Sequence, residues 1–278
     1  MLTIVILGTF IMMAILERYS GQRLIIEKQL DAYQDHHISR GVREAVDAWS
    51  GAASAGTPQQ NANGEQTHVK TLQDYLGPEG HAFDLAPKDG APVSVYMQEA
   101  QGTLLADFSG LSGQELQAAA GALAALEDVA PANVNPVKYT RKEGPLAVSV
   151  RSATPTVLNA ICRSALGPTK GREFAEELIR VRMQMDFDAT KLNEVYQRVG
   201  VNGEDAAKLQ LLLTASPGLW LVVAEMEGSN RSIVRYKGLT TVRGSMSARN
   251  RQNGNRPGQF LSWERVFDTT QPRFERLE

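Results

Sequence analysis

The sequence is poor in cysteine and in net charge. Its 278 residues include one cysteine, which excludes an intramolecular disulfide framework and any cysteine-rich zinc site. The 29 lysine and arginine residues nearly balance the 31 aspartate and glutamate residues, so the net charge is −2. A chain this close to neutral is not expected to coat nucleic acid by bulk electrostatics. The hydrophobic content of 42% is enough to bury a sizeable core.

Sequence signals for catalysis are also lacking. The chain contains no glycine-rich phosphate-binding loop of either standard pattern. His36 and His37 are adjacent, so their rings point to different sides of a helix, which is a poor arrangement for one metal ion. Cys162 lies in an apolar helical run without an obvious histidine or aspartate partner, and we predict a buried structural thiol. We therefore predict no enzymatic activity, no metal site and no cofactor.

An uncharged apolar run opens the chain. Residues 2–16 read LTIVILGTFIMMAIL, which is fifteen residues against the roughly 20 that a full membrane span needs. No lysine or arginine precedes Glu17, which disfavours a cleaved signal peptide. We interpret the run as the membrane-facing part of a helix. The alternative is the core helix of a soluble structural subunit.

The same helix is predicted to continue beyond this run. Residues 17–49 contain no proline, and charged side chains occupy the face opposite an apolar stripe. The stripe recurs in steps of three and four at Ile26, Leu30, Tyr33, His37 or Ile38, Val42, Val46 and Trp49. The pattern predicts one helix of nearly 50 residues. Its first third would lie in lipid, and its remainder would pack one stripe onto a soluble domain.

The remaining sequence alternates between strand and helix patterns. Residues 51–66 are small, polar and aperiodic, as expected for a linker, and residues 244–259 form a flexible loop. Strands are predicted at 81–85, 93–97, 103–108, 146–150, 219–226, 232–242 and 260–267, and the second and third form a hairpin around Gly102. Helices are predicted at 111–129, 156–165, 172–182, 189–199 and 203–214, with N-caps at Ser112, Thr154, and Asp186 or Asp188. A helical domain inserted into an α+β domain would produce this order.

One part of the helical block resembles a helix-hairpin-helix unit. Residues 158–161, 165–171 and 175–179 would form two short helices joined by a glycine turn, whose backbone N–H groups can meet a phosphate. The candidate contacts are Gly167, Thr169, Lys170, Gly171 and Arg172. This resemblance implies a membrane-tethered DNA-binding protein, similar to the helix-hairpin-helix DNA receptors of competence systems. Glu173, Glu176 and Glu177 would repel a phosphate backbone, which favours a purely structural hairpin.

A second resemblance covers most of residues 2–243. An apolar N-terminal helix continues through Gln22-Arg23-Leu24, Tyr33-Gln34-Asp35, Gly41, Glu44, Ala45 and Trp49, and an interrupted α+β region follows. Further matches are residues 153–158, 177–179, Arg182, Phe187 and Leu192, and the strand segments 219–225 and 231–240. These features resemble a divergent member of the general secretion pathway protein K family, the minor pseudopilin near the tip of the type II secretion pseudopilus.

That resemblance implies an α+β fold, a long pilin-like N-terminal helix with a small sheet and an inserted helical domain. Its divisions would be a membrane and stalk helix at 1–50, an α+β domain at 51–110 plus 217–278, and an inserted domain at 111–216. The implied function is assembly in protein secretion and transport, in a single-pass inner-membrane protein whose soluble part lies in the periplasm. The partners would be the membrane and other minor pseudopilins, not nucleic acid. Helix packing would use Ile4, Gly8, Phe10, Ile11 and Ile15.

Overall fold

The computed structural model describes residues 2–54, 72–86, 91–183, 187–227, 232–242 and 260–274. Helix and sheet are mixed, which confirms the α+β class. The elements, in chain order, are α1 (Leu2–Ser54), β1 (His81–Leu85), β2 (Val93–Glu99), β3 (Leu104–Leu105), α2 (Gln114–Val129), β4 (Thr140–Arg141), β5 (Val148–Ser149), α3 (Pro155–Leu166), α4 (Pro168–Arg182), α5 (Ala189–Arg198), α6 (Gly203–Leu212), β6 (Leu213–Thr214), β7 (Leu219–Glu227), β8 (Ile233–Thr241) and β9 (Phe260–Val266). The chain divides into two compact units, Met1–Val46 and Asp47–Glu278.

Helix α1 is continuous over 53 residues, as the absence of proline predicted, and ends four residues beyond the last residue of the predicted segment 1–50. Ion pairs one helical turn apart join Arg23 to Glu27 at 3.0 Å and Arg40 to Glu44 at 2.8 Å. Each exposed pair of this kind adds only a few tenths of a kcal/mol, about 0.3–0.5. None of the described helices carries an apolar stretch long enough to cross a membrane.

The unit Asp47–Glu278 is built on a five-stranded sheet in the order β1-β2-β7-β8-β9, and every neighbouring pair is antiparallel. The two strands predicted at 219–226 and 232–242 are β7 and β8, which pair with each other. Trp49, in the last turns of α1, lies against Phe83 of β1 with ring centroids 5.5 Å apart. Residues 111–216 lie in sequence between β2 and β7, although these two strands are adjacent in the sheet.

The predicted hairpin of residues 93–97 and 103–108 is wrong. Strand β2 pairs with β1 on one edge and β7 on the other, whereas the short β3 pairs with β4 in parallel. The side chain of Gln101 explains the departure of the chain after β2. Its amide donates to the carbonyl of Ala147 at 2.7 Å and accepts from the backbone N–H of Leu219 at 3.1 Å, so it holds this segment in the interior.

The helical block confirms two of the predicted caps and corrects a third. Thr154 accepts the backbone N–H of Val157 at 3.3 Å, and Asp188 accepts that of Lys191 at 2.8 Å, whereas Asp186 lies outside the described residues. The predicted N-cap at Ser112 is wrong, because α2 begins at Gln114 and its N-cap residue is therefore Gly113, which has no side chain to cap the helix. The predicted linker 51–66 is wrong at residues 51–54, which belong to α1, and its remainder lies outside the described residues. The predicted loop 244–259 lies outside them entirely.

The largest core packs between the helices. Its fully buried side chains come from α2, α3, α4, α5 and α6 and include Leu126, Leu158, Ile161, Phe174, Leu178, Val195 and Leu209. The rings of Phe174 and Tyr196 are 5.3 Å apart and join α4 to α5. Cys162 is fully buried in this core, as predicted, and burial raises the pKa of its thiol well above the usual range.

Candidate functional site

The surface of α1 is the first candidate site. Eight large apolar side chains between residues 12 and 33 are exposed, and among them Tyr19 is 68% exposed and Tyr33 is 64% exposed. The predicted packing residues Ile4, Gly8, Phe10, Ile11 and Ile15 all belong to this helix, but their side chains lie outside the described part of the structure. Exposed apolar groups of this kind make α1 a candidate contact surface.

The turn between α3 and α4 is tighter than predicted. A single residue, Gly167, reverses the chain with a φ of 81°, and α4 begins at Pro168, so the predicted five-residue turn of 167–171 is wrong in extent. Proline is well suited to the first helical position because it has no N–H to satisfy there. Gly167, Thr169, Lys170, Gly171 and Arg172 therefore come together within one cap and the first turn of one helix.

Two of these residues contact other parts of the fold. Gly171 is buried, and a β-carbon added there would lie 2.6 Å from the carbonyl oxygen of Cys162 and 2.6 Å from the Cα of Arg163. The glycine therefore lets α4 pack directly against the backbone of α3. The ammonium group of Lys170 donates to the carbonyl of Gly200 at 3.1 Å, close to the end of α5.

The charge around this turn is mixed. Arg172 lies 3.9 Å from Glu176, and Glu177 pairs with both Arg180 and Arg198. The hydrogen bond from Arg180, assisted by Arg198, lowers the pKa of Glu177 to about 2, so this carboxylate stays charged at neutral pH. An anionic backbone approaching α4 would meet these carboxylates as well as the arginines. The arrangement fits a structural hairpin better than a phosphate site.

A cleft of about 720 Å³ lies at the C-terminal end of β2 and is the second candidate site. Its lining includes Glu99, Ser152 and Trp220, together with the segment 272–274. The hydroxyl of Ser152 donates to Glu99 at 2.6 Å. Burial raises the pKa of Glu99, and the hydroxyl groups of Ser149 and Ser152 and the charge of Arg151 oppose that rise.

A buried ion-pair network borders the cleft. Glu225 on β7 contacts Arg235 on β8 at 2.8 Å and Arg273 at 2.8 Å, and the side chains of Glu225 and Arg235 are 10% and 8% exposed. Arg273 also reaches Glu79 at 2.8 Å and lies 4.1 Å above the ring of Tyr96. Arg235 donates to the carbonyl of Gln271 at 2.6 Å, so the network holds residues 271–273 against the sheet.

Neither the network nor Glu99 is among the residues that the sequence predicted as functional. One signal for the network was present, because Glu225 is an acidic residue within the apolar strand pattern 219–226, and Arg235 is a basic residue within the next predicted strand, 232–242. The register places these two residues directly opposite each other. Arg273 and Glu79 had no such signal, since they are separated by 194 positions. In the described residues, no group of three histidine, cysteine, aspartate or glutamate side chains is placed to hold a metal ion.

Comparison with known proteins adds no family to this description: neither protein-family models nor curated proteins match the chain.

Proposed function

We propose that the protein is a minor pseudopilin-like subunit that acts by assembly in type II protein secretion, near the tip of the pseudopilus. The apolar start of α1 anchors the chain in the inner membrane and packs against the helices of partner subunits, while the soluble part lies in the periplasm. The helical segment 111–216, inserted between two neighbouring strands of the sheet, caps or blocks further growth of the assembly. No catalytic step is part of this function.

The observation that carries the proposal is the length and exposure of α1. A 53-residue helix begins in an uncharged apolar run and keeps exposed apolar side chains as far as Tyr33. Its last turns belong to the unit that holds the sheet, where Trp49 contacts Phe83. The helix itself spans about 80 Å at 1.5 Å per residue, which is longer than the proposed membrane-facing run alone requires.

The position of the helical block supports the same proposal. Strands β2 and β7 are neighbours in the sheet, yet residues 100–218 separate them in sequence and include helices α2 to α6. An insertion between adjacent strands leaves the pairing of the sheet intact, because the inserted segment leaves one strand and returns to the strand beside it. A pilin-type sheet with a large helical insertion would have this connectivity.

The membrane anchor is tested by placing a charge in the apolar run. We expect Ile11→Asp to move the full-length protein from the membrane fraction to the soluble fraction, because an aspartate at the centre of a spanning helix costs about 2.5–3.5 kcal/mol on insertion. The control is Gln29→Asp, which adds the same charge at an exposed polar position of α1 and is expected to leave the protein in the membrane. A soluble wild-type protein would overturn the proposal and favour a soluble structural subunit.

Nucleic-acid binding remains the second candidate. Its support is the turn at Gly167, where no side chain caps the first backbone N–H groups of α4. We expect the wild-type protein not to be retained on immobilised DNA at low salt, and we expect Lys170→Glu with Arg172→Glu to change nothing. The control pair Lys138→Glu with Lys142→Glu makes the same change in net charge at two exposed lysines away from this turn. Salt-sensitive retention that only the first pair abolishes would favour DNA binding over the assembly function.

A further inference from the structure

Five of the eight exposed large apolar side chains of α1 fall on the positions of one heptad pattern. From residue 12 to residue 37 the steps alternate strictly between four and three positions. We call this set the heptad seam, and its members are Met12, Leu16, Tyr19, Arg23, Ile26, Leu30, Tyr33 and His37. Six of its eight members are apolar or aromatic. A 3.5-residue period keeps one stripe facing a partner helix over many turns, which is the basis of a coiled coil.

The described members of the seam are exposed to solvent in this chain. Met12, Leu16 and Ile26 are 66%, 64% and 62% exposed, and the two tyrosines of the seam have similar values. Arg23 and His37 are exposed as well. Burying the seam side chains that lie outside the membrane-facing run against a second helix would remove apolar surface from water and favour pairing. The seam therefore has the composition of a helix–helix interface, and its described members are exposed in the single chain.

The positions beside the seam indicate what covers it. In a parallel pair these flanking positions meet the flanking positions of the partner, and their charges select the partner. The flanking residues are Met13, Ser20, Glu27 and Gln34 on one side and Ile15, Gln22, Gln29 and His36 on the other. Apart from His36, the only charged residue among them is Glu27. In a parallel pair Glu27 faces Gln22 of the other chain. Nearly neutral flanks do not repel an identical helix, and they supply no charges that would select a different one.

Most charged residues of this segment lie away from the seam. Glu17, Arg18 and Lys28 occupy the outer positions of the heptad, where they would stay in water in a paired helix. Arg23 is the one lysine or arginine within the seam, and its guanidinium bonds Glu27 of the same helix at 3.0 Å. That contact offsets the repulsion between the two Arg23 side chains of a pair. A single polar layer of this kind restricts register at some cost in stability.

We propose that residues 12–37 of α1 pair in register with the same residues of a second copy of this chain, as a parallel two-stranded coiled coil. The parallel direction rests on the proposed function, since two copies anchored in one membrane present their helices in the same orientation. The pairing itself rests on the heptad seam and its nearly neutral flanks. The partner is another molecule of this protein.

Adjacent isoleucines provide a matched test. Ile25 and Ile26 are 57% and 62% exposed, but only Ile26 belongs to the seam, and Ile25 points about 130° away from its centre at 100° per residue. We expect full-length Ile26→Cys in native membranes to form a disulfide-linked dimer under mild oxidation at least about five-fold more than Ile25→Cys, because the two thiols must approach closely. The wild-type protein is the background control, since its only cysteine, Cys162, is fully buried.

A second variant shows whether the link depends on the seam. We expect Tyr33→Asp in the Ile26→Cys protein to reduce the dimer without changing the membrane fraction. Equal linking at positions 25 and 26, no linking at either, or a link from Ile26→Cys to a different protein would each overturn the proposal. Failure of the membrane anchor gives a different result. If the wild-type protein is soluble but the Ile26→Cys variant still forms the disulfide-linked dimer, the proposed function is overturned and the pairing is kept.

Discussion

Replacing Glu225 with glutamine is expected to destabilise the protein by about 3–5 kcal/mol, because the change leaves the charge of Arg235 buried without its partner. Both side chains are about nine-tenths buried, and they lie 2.8 Å apart on adjacent strands. Glutamine keeps the shape of the side chain and removes its charge. The free energy of unfolding from urea denaturation, followed by circular dichroism, measures the effect.

The control for this prediction is Glu79→Gln. Glu79 and Glu225 both pair with Arg273, but the side chain of Glu79 is 77% exposed. An exposed ion pair contributes about 0–1 kcal/mol, so we expect little change from this substitution. We also expect Glu225→Gln combined with Arg235→Met to recover much of the lost stability, because no unpaired charge then remains in the interior. Equal losses for Glu79→Gln and Glu225→Gln would contradict the buried network.

The second large effect is expected at Gly171, where alanine should destabilise the helical block by about 2 kcal/mol or more. An added β-carbon would lie 2.6 Å from backbone atoms of α3. Backbone cannot move aside as the end of a flexible side chain can, so α3 and α4 would have to separate. That separation would loosen the core around Phe174 and Leu178, which are both fully buried. The melting temperature and the free energy of unfolding measure the loss.

Gly121 is the matched control, because it is also a glycine within a helix. A β-carbon added there meets only the Cβ of Ser164, at an ordinary contact distance of 3.9 Å. Alanine favours helix over glycine by about 1 kcal/mol, so we expect Gly121→Ala to be neutral or stabilising by up to that amount. If Gly171→Ala were equally harmless, the close packing of α4 on α3 would be wrong.

The strength of the local signal explains which parts of the fold the sequence predicted. Helix α1 was predicted to within four residues of its C-terminal end because a long segment without proline and with a regular apolar stripe favours one structure throughout. The caps at Thr154 and Asp188 were predicted because the capping oxygen and the N–H it accepts are three residues apart. Strands β7 and β8 were predicted as separate strands for a similar reason, since each has an apolar or alternating pattern of its own.

The errors arose where distant residues decide the structure. The chain leaves the sheet after β2 because the amide of Gln101 bonds Ala147 and Leu219, which lie far along the sequence. Gly171 looked like part of an exposed turn, but the packing of α4 against α3 turns it into a buried contact. Lys170 looked like a candidate for a phosphate contact, and the neighbouring helix α5 supplies the carbonyl of Gly200 as its partner.

The sequence alone determined the α+β class, the long first helix, the five main helices that follow it and the heptad spacing along α1, because each depends on the order of neighbouring residues. Tertiary structure alone decided which strands pair, which side chains meet in the network around Glu225, and that the glycine at position 171 serves packing. Those features depend on residues up to 194 positions apart, and no local pattern carries information about contacts at that range.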